Sequence, residues 1–189
     1  MAKYTVIRNL IREDICLEMS KQMWLEERKR PGIFGDALCP TTSSFYNLYP
    51  SILALCHSSV EKAVGEEIIP SYNYSRIYRR GDDLKKHVDR ESCEISFTVT
   101  LDYPSSPWLF YFDDNGLEKE IILYKGDCLI YEGCTTKHWR HPMTHQDWQT
   151  QGFFHYVRKN GQHANHAYDQ VLLKRMDHMG VVLNNDAIL

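Results

Sequence analysis

The triplet His87-Val88-Asp89 is the place in this chain where residue type and spacing point most directly to chemistry. In an extended strand, residues two apart project to the same face. An imidazole and a carboxylate at that spacing can therefore grip one metal ion. A second histidine from a distant segment would complete a set of two histidines and one carboxylate. Such a set leaves three adjacent coordination positions open and suits non-haem Fe(II) that activates O₂. The triplet alone is common by chance and fits a surface His and Asp in a loop better, so its meaning depends on its surroundings. His138, His141, His145 and His155 all lie in range to supply the third ligand.

The elements that must position these residues are mostly strands. Segments 72–78, 93–103, 107–113, 119–125, 128–133, 136–141 and 151–158 are rich in β-branched and aromatic residues. Turn signals separate them: Arg80-Gly81-Asp82, Tyr103-Pro104, Asp114-Asn115-Gly116 and Lys125-Gly126-Asp127. Several short strands at this spacing argue for a sandwich or barrel, and Asp-Asn-Gly between apolar runs argues for a hairpin. Segment 93–101 alternates, with Cys93, Ile95, Phe97, Val99 and Leu101 on one face and Glu94, Ser96, Thr98 and Thr100 on the other.

Upstream the pattern is helical. After a short strand at 3–8, a helix is expected over 13–30, with Ile15, Met19 and Met23 on one stripe and Pro31-Gly32 as its stop. The basic run Arg28-Lys29-Arg30 suits the end of that helix. Residues 31–49 read as a long loop. Pro50 then opens a second helix whose apolar face is Ile52, Leu55, Cys56, Val60 and Ala63, ended by Gly65. A further helix is expected over 168–178. The organisation is a single domain over 1–189: supporting helices in 1–68, a β-core in 69–160 and a C-terminal tail in 161–189.

Composition narrows the function classes. The 189 residues are 43% hydrophobic and 25% charged, with a formal net charge of −3. These values are ordinary for a globular protein. No block of like charge makes a case for nucleic acid or membrane as partner. No apolar run reaches the ~18–20 residues of a membrane helix, and the N-terminus lacks a signal-peptide core, so a cytoplasmic location is expected. The six cysteines show no CxxC pair and read as small buried hydrophobes.

The stretch from Tyr78 to Arg90, Tyr-Arg-Arg-Gly-Asp-Asp-Leu-Lys-Lys-His-Val-Asp-Arg, resembles the 2-oxoglutarate/Fe(II) dioxygenases of the prolyl-hydroxylase-like group. In that group a strand ends in Tyr, Gly follows in the turn, and HxD comes about nine residues after the Tyr. The run Lys125-Gly126-Asp127-Cys128-Leu129-Ile130-Tyr131 resembles the Gly-Asp turn and strand that precede the group's second metal histidine. The resemblance covers roughly 70–158 and implies a mainly β fold with N-terminal helices, the double-stranded β-helix of the jelly-roll and cupin type.

It also implies a metal set of His87, Asp89 and His138, because His138 ends the strand after the Gly-Asp turn and is followed by Pro142. His141 would face the opposite way on the same strand, His145 falls past the proline, and His155 lies in the last strand, where an aromatic residue lines the pocket. The implied co-substrates are 2-oxoglutarate and O₂. The implied activity is hydroxylation of a small molecule or of a prolyl or other side chain in a peptide or protein.

The sequence departs from the group at one point. An Arg or Lys some ten residues after the second histidine usually pairs with the distal carboxylate of 2-oxoglutarate. Here that region reads Asp147-Trp148-Gln149-Thr150-Gln151. Arg140 shares a strand face with His138, and a guanidinium is the natural bidentate partner of a carboxylate. Arg140 is therefore expected to take the role, with Tyr78 and Gln151 adding hydrogen bonds. The missing basic residue keeps open a cupin-like metal enzyme without 2-oxoglutarate. A non-catalytic β-sandwich binding module is the third reading.

Overall fold

The computed structural model describes residues 4–29 and 38–168. Strand β1 (Tyr4–Ile7) leads into helix α1 (Glu13–Lys29), which has Glu13 and Asp14 in its first turn and Arg28 and Lys29 in its last, as the helix dipole favours. The buried stripe of α1 is Cys16, Met19, Ser20 and Met23. Ile15, expected on that stripe, is 42% exposed. The helix is turned so that Ser20 Oγ accepts a 2.9 Å hydrogen bond from the buried Thr150 hydroxyl, which brings Cys16 rather than Ile15 onto the sheet.

The region expected to be all loop contains a short strand, β2 (Ser43–Tyr46). Helix α2 (Pro50–Val64) follows. It ends where Gly65 turns left-handed (φ 79°) and its N–H donates to Glu61 O at 2.8 Å. Cys56 and Val60 are buried as expected, but their companion is Leu53, and Leu55 is 77% exposed. The Tyr156 hydroxyl donates to Leu53 O at 2.6 Å and helps hold that side of the helix against the sheet.

Eight strands make the core: β3 (Ile68–Arg79), β4 (Leu84–His87), β5 (Ile95–Asp102), β6 (Phe110–Asp114), β7 (Leu117–Ile121), β8 (Cys128–Glu132), β9 (His138–Arg140) and β10 (Trp148–Arg158). All pair antiparallel, in two sheets of order β1-β8-β5-β10-β3-β2 and β4-β9-β6-β7. The core strands thus distribute between two facing sheets, which is the double-stranded β-helix. The β6–β7 hairpin turns through Asn115 and Gly116, both at positive φ (56° and 86°), as an Asn-Gly turn allows. Cys93 falls just outside β5, in a 3₁₀ turn over Glu91–Cys93.

The outer face of the larger sheet is apolar and lies under the helices. Ile95, Phe97, Val99 and Leu101 of β5 join Cys128, Ile130, Phe154 and Tyr156 against Met19, Met23, Leu53 and Val60. The polar alternates Ser96, Thr98 and Thr100 are buried too, because they face the space between the two sheets. That polar interior is where the site lies. The entry to β8 is fixed by Asp127, which accepts hydrogen bonds from Arg8 Nη1 (2.6 Å), Asn9 N (3.0 Å) and Tyr124 N (2.9 Å).

The helix expected over 168–178 and the rest of the tail lie outside the described residues, apart from Tyr168. Among the described residues no helix is long and apolar enough to cross a membrane. All six cysteines are free thiols, and only Cys134 is not buried.

Candidate metal centre

His87 is the last residue of β4, and β4 pairs with β9 so that His87 stands directly across from His138. Asp89 follows two residues later, with its N–H donating to Gly133 O at 2.9 Å. Asp89 Oδ1 lies 3.5 Å from His87 Nε2 and 3.6 Å from His138 Nε2, and the two imidazole centroids are 4.3 Å apart. The three donor atoms lie within 4.8 Å of one another, and no other such group occurs among the described residues.

The surroundings aim these donors. His87 Nδ1 donates to Lys85 O (2.7 Å) and His138 Nδ1 to Thr136 O (2.9 Å). Each bond leaves the Nε2 lone pair turned inward, the tautomer a metal needs. Asp89 Oδ2 accepts from Ser96 Oγ at 2.7 Å, which leaves Oδ1 for a metal. Gly133 makes the carboxylate's place possible, since a Cβ there would overlap Asp89 Oδ2, Ser96 Oγ and Cys93 O.

Burial opposes ionisation of Asp89, but His138, His87 and Ser96 outweigh it and hold the carboxyl well below its usual range. Burial pushes His138 down, toward the neutral form that ligates. A carboxylate and two imidazoles with open space before them fit a divalent cation of the iron type.

The other candidate histidines stand elsewhere. His141 points out of the barrel to Glu118 Oε2 at 3.1 Å, and His145 lines an outer groove with Trp108 and Tyr111. His155 lines the cavity beside the metal corner, stacked on Tyr72 (4.6 Å) and touching Ser96 Oγ through Nδ1 at 3.1 Å. That cavity measures 360 Å³ and reaches the surface past Tyr46, Tyr74, Arg76 and Arg90. Arg90 stacks over Tyr72 at 4.6 Å.

At the other end of the interior, Arg140 is 2% exposed. Its Nη1 donates to the carbonyls of Trp108 and Leu109, and its guanidinium lies 4.8 Å from the Trp108 ring and 5.2 Å from Phe110. Nη2 is buried without a hydrogen-bond partner, and no carboxylate pairs with Arg140 among the described residues. Burial pulls its pKa down to about 10. Tyr78 presents its hydroxyl beside Arg76 and Arg140. That oxygen is also buried without a hydrogen-bond partner, and burial pushes the phenol up to about 12.

Gln151 sits in an amide ladder that uses one of its two amide N–H groups. Its Nε2 donates to Thr98 Oγ1 (2.8 Å), and its Oε1 accepts from Gln149 Nε2 (3.0 Å) and Thr100 Oγ1 (3.3 Å). Gln149 Oε1 in turn accepts from Trp108 N at 2.8 Å. Arg158 is committed to Glu66, Glu94 and Glu132 at 3.0, 3.0 and 2.6 Å.

The sequence pattern names Ser96 and Tyr131 but not their place at the site, and it does not single out Arg76 or Gly133. Arg76 is within reach of period-two counting from Tyr78. The part played by Gly133 depends on contacts between distant segments.

The sequence matches no protein-family model and no curated protein. The fold matches solved 2-oxoglutarate/Fe(II) oxygenases at low identity. A prolyl-4-hydroxylase from Pseudomonas putida superposes with a TM-score of 0.62 at 10% identity, covering 81% of this chain and 92% of that one. HygX from Streptomyces hygroscopicus, solved with nickel and 2-oxoglutarate, gives 0.66 at 12% identity over 84% and 83%. SnoK, a non-haem α-ketoglutarate-dependent carbocyclase from nogalamycin biosynthesis, gives 0.66 at 10% identity over 82% and 80%. The architecture is thus the one these oxygenases share, with a His-Asp-His triad in its interior.

Proposed function

We propose that this chain is an Fe(II)- and 2-oxoglutarate-dependent oxygenase that hydroxylates its substrate. His87, Asp89 and His138 hold the iron. Arg140 takes the distal carboxylate of 2-oxoglutarate, with the Tyr78 hydroxyl as a second donor; Gln151, through the amide N–H its ladder leaves over, is a third. The observation that carries the co-substrate is the buried Arg140 guanidinium, which has an unused N–H and no carboxylate partner among the described residues. A buried cation is costly unless an anion pairs with it, and a dicarboxylate that also reaches the metal supplies one.

Bound iron would supply the oxidation of 2-oxoglutarate by O₂ to succinate and CO₂, with one oxygen atom passed to a substrate C–H bond. The chain's own part is positional. Lys85 O and Thr136 O fix the two imidazoles, Ser96 fixes Asp89, and the Tyr131, Phe110 and Phe112 rings keep water from the metal's inner side. Substrate enters through the cavity walled by Tyr72, Tyr74 and His155. Its size suits one side chain of a peptide, a prolyl ring included, or a small molecule. The prolyl-4-hydroxylase likeness supports the first and the HygX and SnoK likenesses the second.

The test is succinate release from 2-oxoglutarate by the purified chain with Fe(II) and ascorbate, with and without prolyl peptides. Slow Fe(II)-dependent succinate formation, lost in Asp89→Ala, is expected. Intact iron binding without 2-oxoglutarate binding would instead favour a metal enzyme of another type. The amides Gln149 and Gln151, standing where a basic residue is usual, are the observation behind that second reading.

A further inference from the structure

Tyr131 on β8 has a hydroxyl for which the metal-binding reading finds no use. The side chain is 4% exposed and held between the rings of Phe110, Phe112 and His138, at 5.8, 5.6 and 4.9 Å. Phenylalanine would fill that space equally well, so packing does not explain the hydroxyl. A buried hydroxyl without a good partner is destabilising.

Its contacts to the triad are long ones, and Ser96, itself bonded to Asp89, also lies within its reach. The oxygen lies 3.4 Å from His138 Nε2 and 3.5 Å from Asp89 Oδ2. Hydrogen bonds from a hydroxyl normally span about 2.5–3.0 Å. Both acceptors also have better uses, since the Nε2 lone pair belongs to the metal and Oδ2 already accepts from Ser96 at 2.7 Å. Yet 3.4 Å is no longer than the 3.5 and 3.6 Å that separate the triad's own donor atoms. The phenol oxygen therefore stands at the edge of the volume that a metal's ligands fill.

The direction follows from octahedral geometry. With three adjacent positions taken, each open position lies beside two triad members and opposite the third. Tyr131 Oη approaches His138 and Asp89, and no hydrogen bond joins it to His87. It stands on the side of the site formed by His138 and Asp89.

We propose that Tyr131 is a positioning residue whose hydroxyl donates a hydrogen bond to the oxygen ligand in the coordination position opposite His87. Where 2-oxoglutarate is the co-substrate that ligand is one of its metal-bound oxygens; the identity of the ligand, though not the direction of the phenol, rests on the function proposed above.

The experiment compares the full chain with Tyr131→Phe under anaerobic conditions. Fe(II) affinity is measured first, then 2-oxoglutarate is titrated while the visible charge-transfer band of the Fe(II) complex is followed. Expected are unchanged metal affinity, a band displaced in energy, and 2-oxoglutarate affinity about tenfold weaker, the worth of one neutral hydrogen bond. The metal-free variant should melt no lower than the original. Equal band energies and affinities would overturn the proposal, as would a loss of metal affinity as large as the loss of 2-oxoglutarate affinity, since Tyr131 would then only brace Asp89. Absence of any 2-oxoglutarate response in the original chain would instead count against the proposed function. Azide titrated into the Co(II)-loaded proteins then decides on Tyr131: weaker azide binding in the variant upholds it, and equal binding refutes it.

Discussion

The two ends of the barrel interior are built on opposite principles. At the metal corner every donor is aimed by a neighbour: His87 by Lys85 O, His138 by Thr136 O, Asp89 by Ser96 and by the room Gly133 leaves. At the far end, Gln149, Gln151, Thr98 and Thr100 satisfy one another, while Arg140 Nη2 and Tyr78 Oη are left over. The first end is arranged so that its own carboxylate would help to balance a bound cation. The second carries a cation of its own and, among the described residues, no carboxylate, so it is complementary to an anion from outside. A dicarboxylate bridging the two would meet positive charge at both of its ends.

The largest effect expected from that contrast is at Asp89. Asp89→Ala removes the triad's only anion and should weaken Fe(II) binding by more than ~100-fold, beyond the loss typical of a residue that merely supports a ligand. Anaerobic metal titration measures it, and retained occupancy would break the assignment of this end.

Arg140→Ala should come next. It should raise the dissociation constant for 2-oxoglutarate by about 30-fold or more, the cost of stripping a partner from a buried charge, while Fe(II) affinity stays near its original value. Arg140→Lys should recover only part of the loss, because an ammonium cannot form the planar two-pronged contact. Arg158→Ala, whose guanidinium is spent on three glutamates, should leave 2-oxoglutarate affinity unchanged. The reverse order would show that the anion end has been misplaced.

Ser96→Ala sharpens the comparison from within the metal end. It should cost roughly tenfold in Fe(II) affinity by freeing Asp89 Oδ2 to rotate, and it should leave 2-oxoglutarate binding to the loaded protein close to normal. The smallest effect lies outside both ends. Leu55→Ala should change unfolding free energy by no more than about 0.5 kcal/mol, because that side chain is exposed. Leu53→Ala, buried two residues earlier, should cost ~2–5 kcal/mol. Equal losses in a denaturant titration would mean that α2 is turned differently on the sheet.

Helix α2 also shows where local pattern stops being informative. Leu53 and Leu55 are both apolar and flank the Cys56–Val60 line, so helical period admits either. The choice went to Leu53, on the side where the Tyr156 hydroxyl, from a strand a hundred residues away, meets a backbone carbonyl. Ile15 and Cys16 in α1 repeat the lesson. On β5 the alternation was legible, but alternation alone does not say that the polar face is interior. That became evident only with the second sheet packed over Ser96, Thr98 and Thr100.

The sequence by itself determined what short-range geometry controls. His87 and Asp89 face the same way because extended residues repeat every two, and Asn115-Gly116 turns because both residues tolerate positive φ. Tertiary structure decided what needs two distant strands in register. Pairing of β4 with β9 set His138 opposite His87 and pointed His141 outward. The crowding of Trp108 and Phe110 around Arg140 placed a cation in a buried interior, where leaving it unpaired is costly.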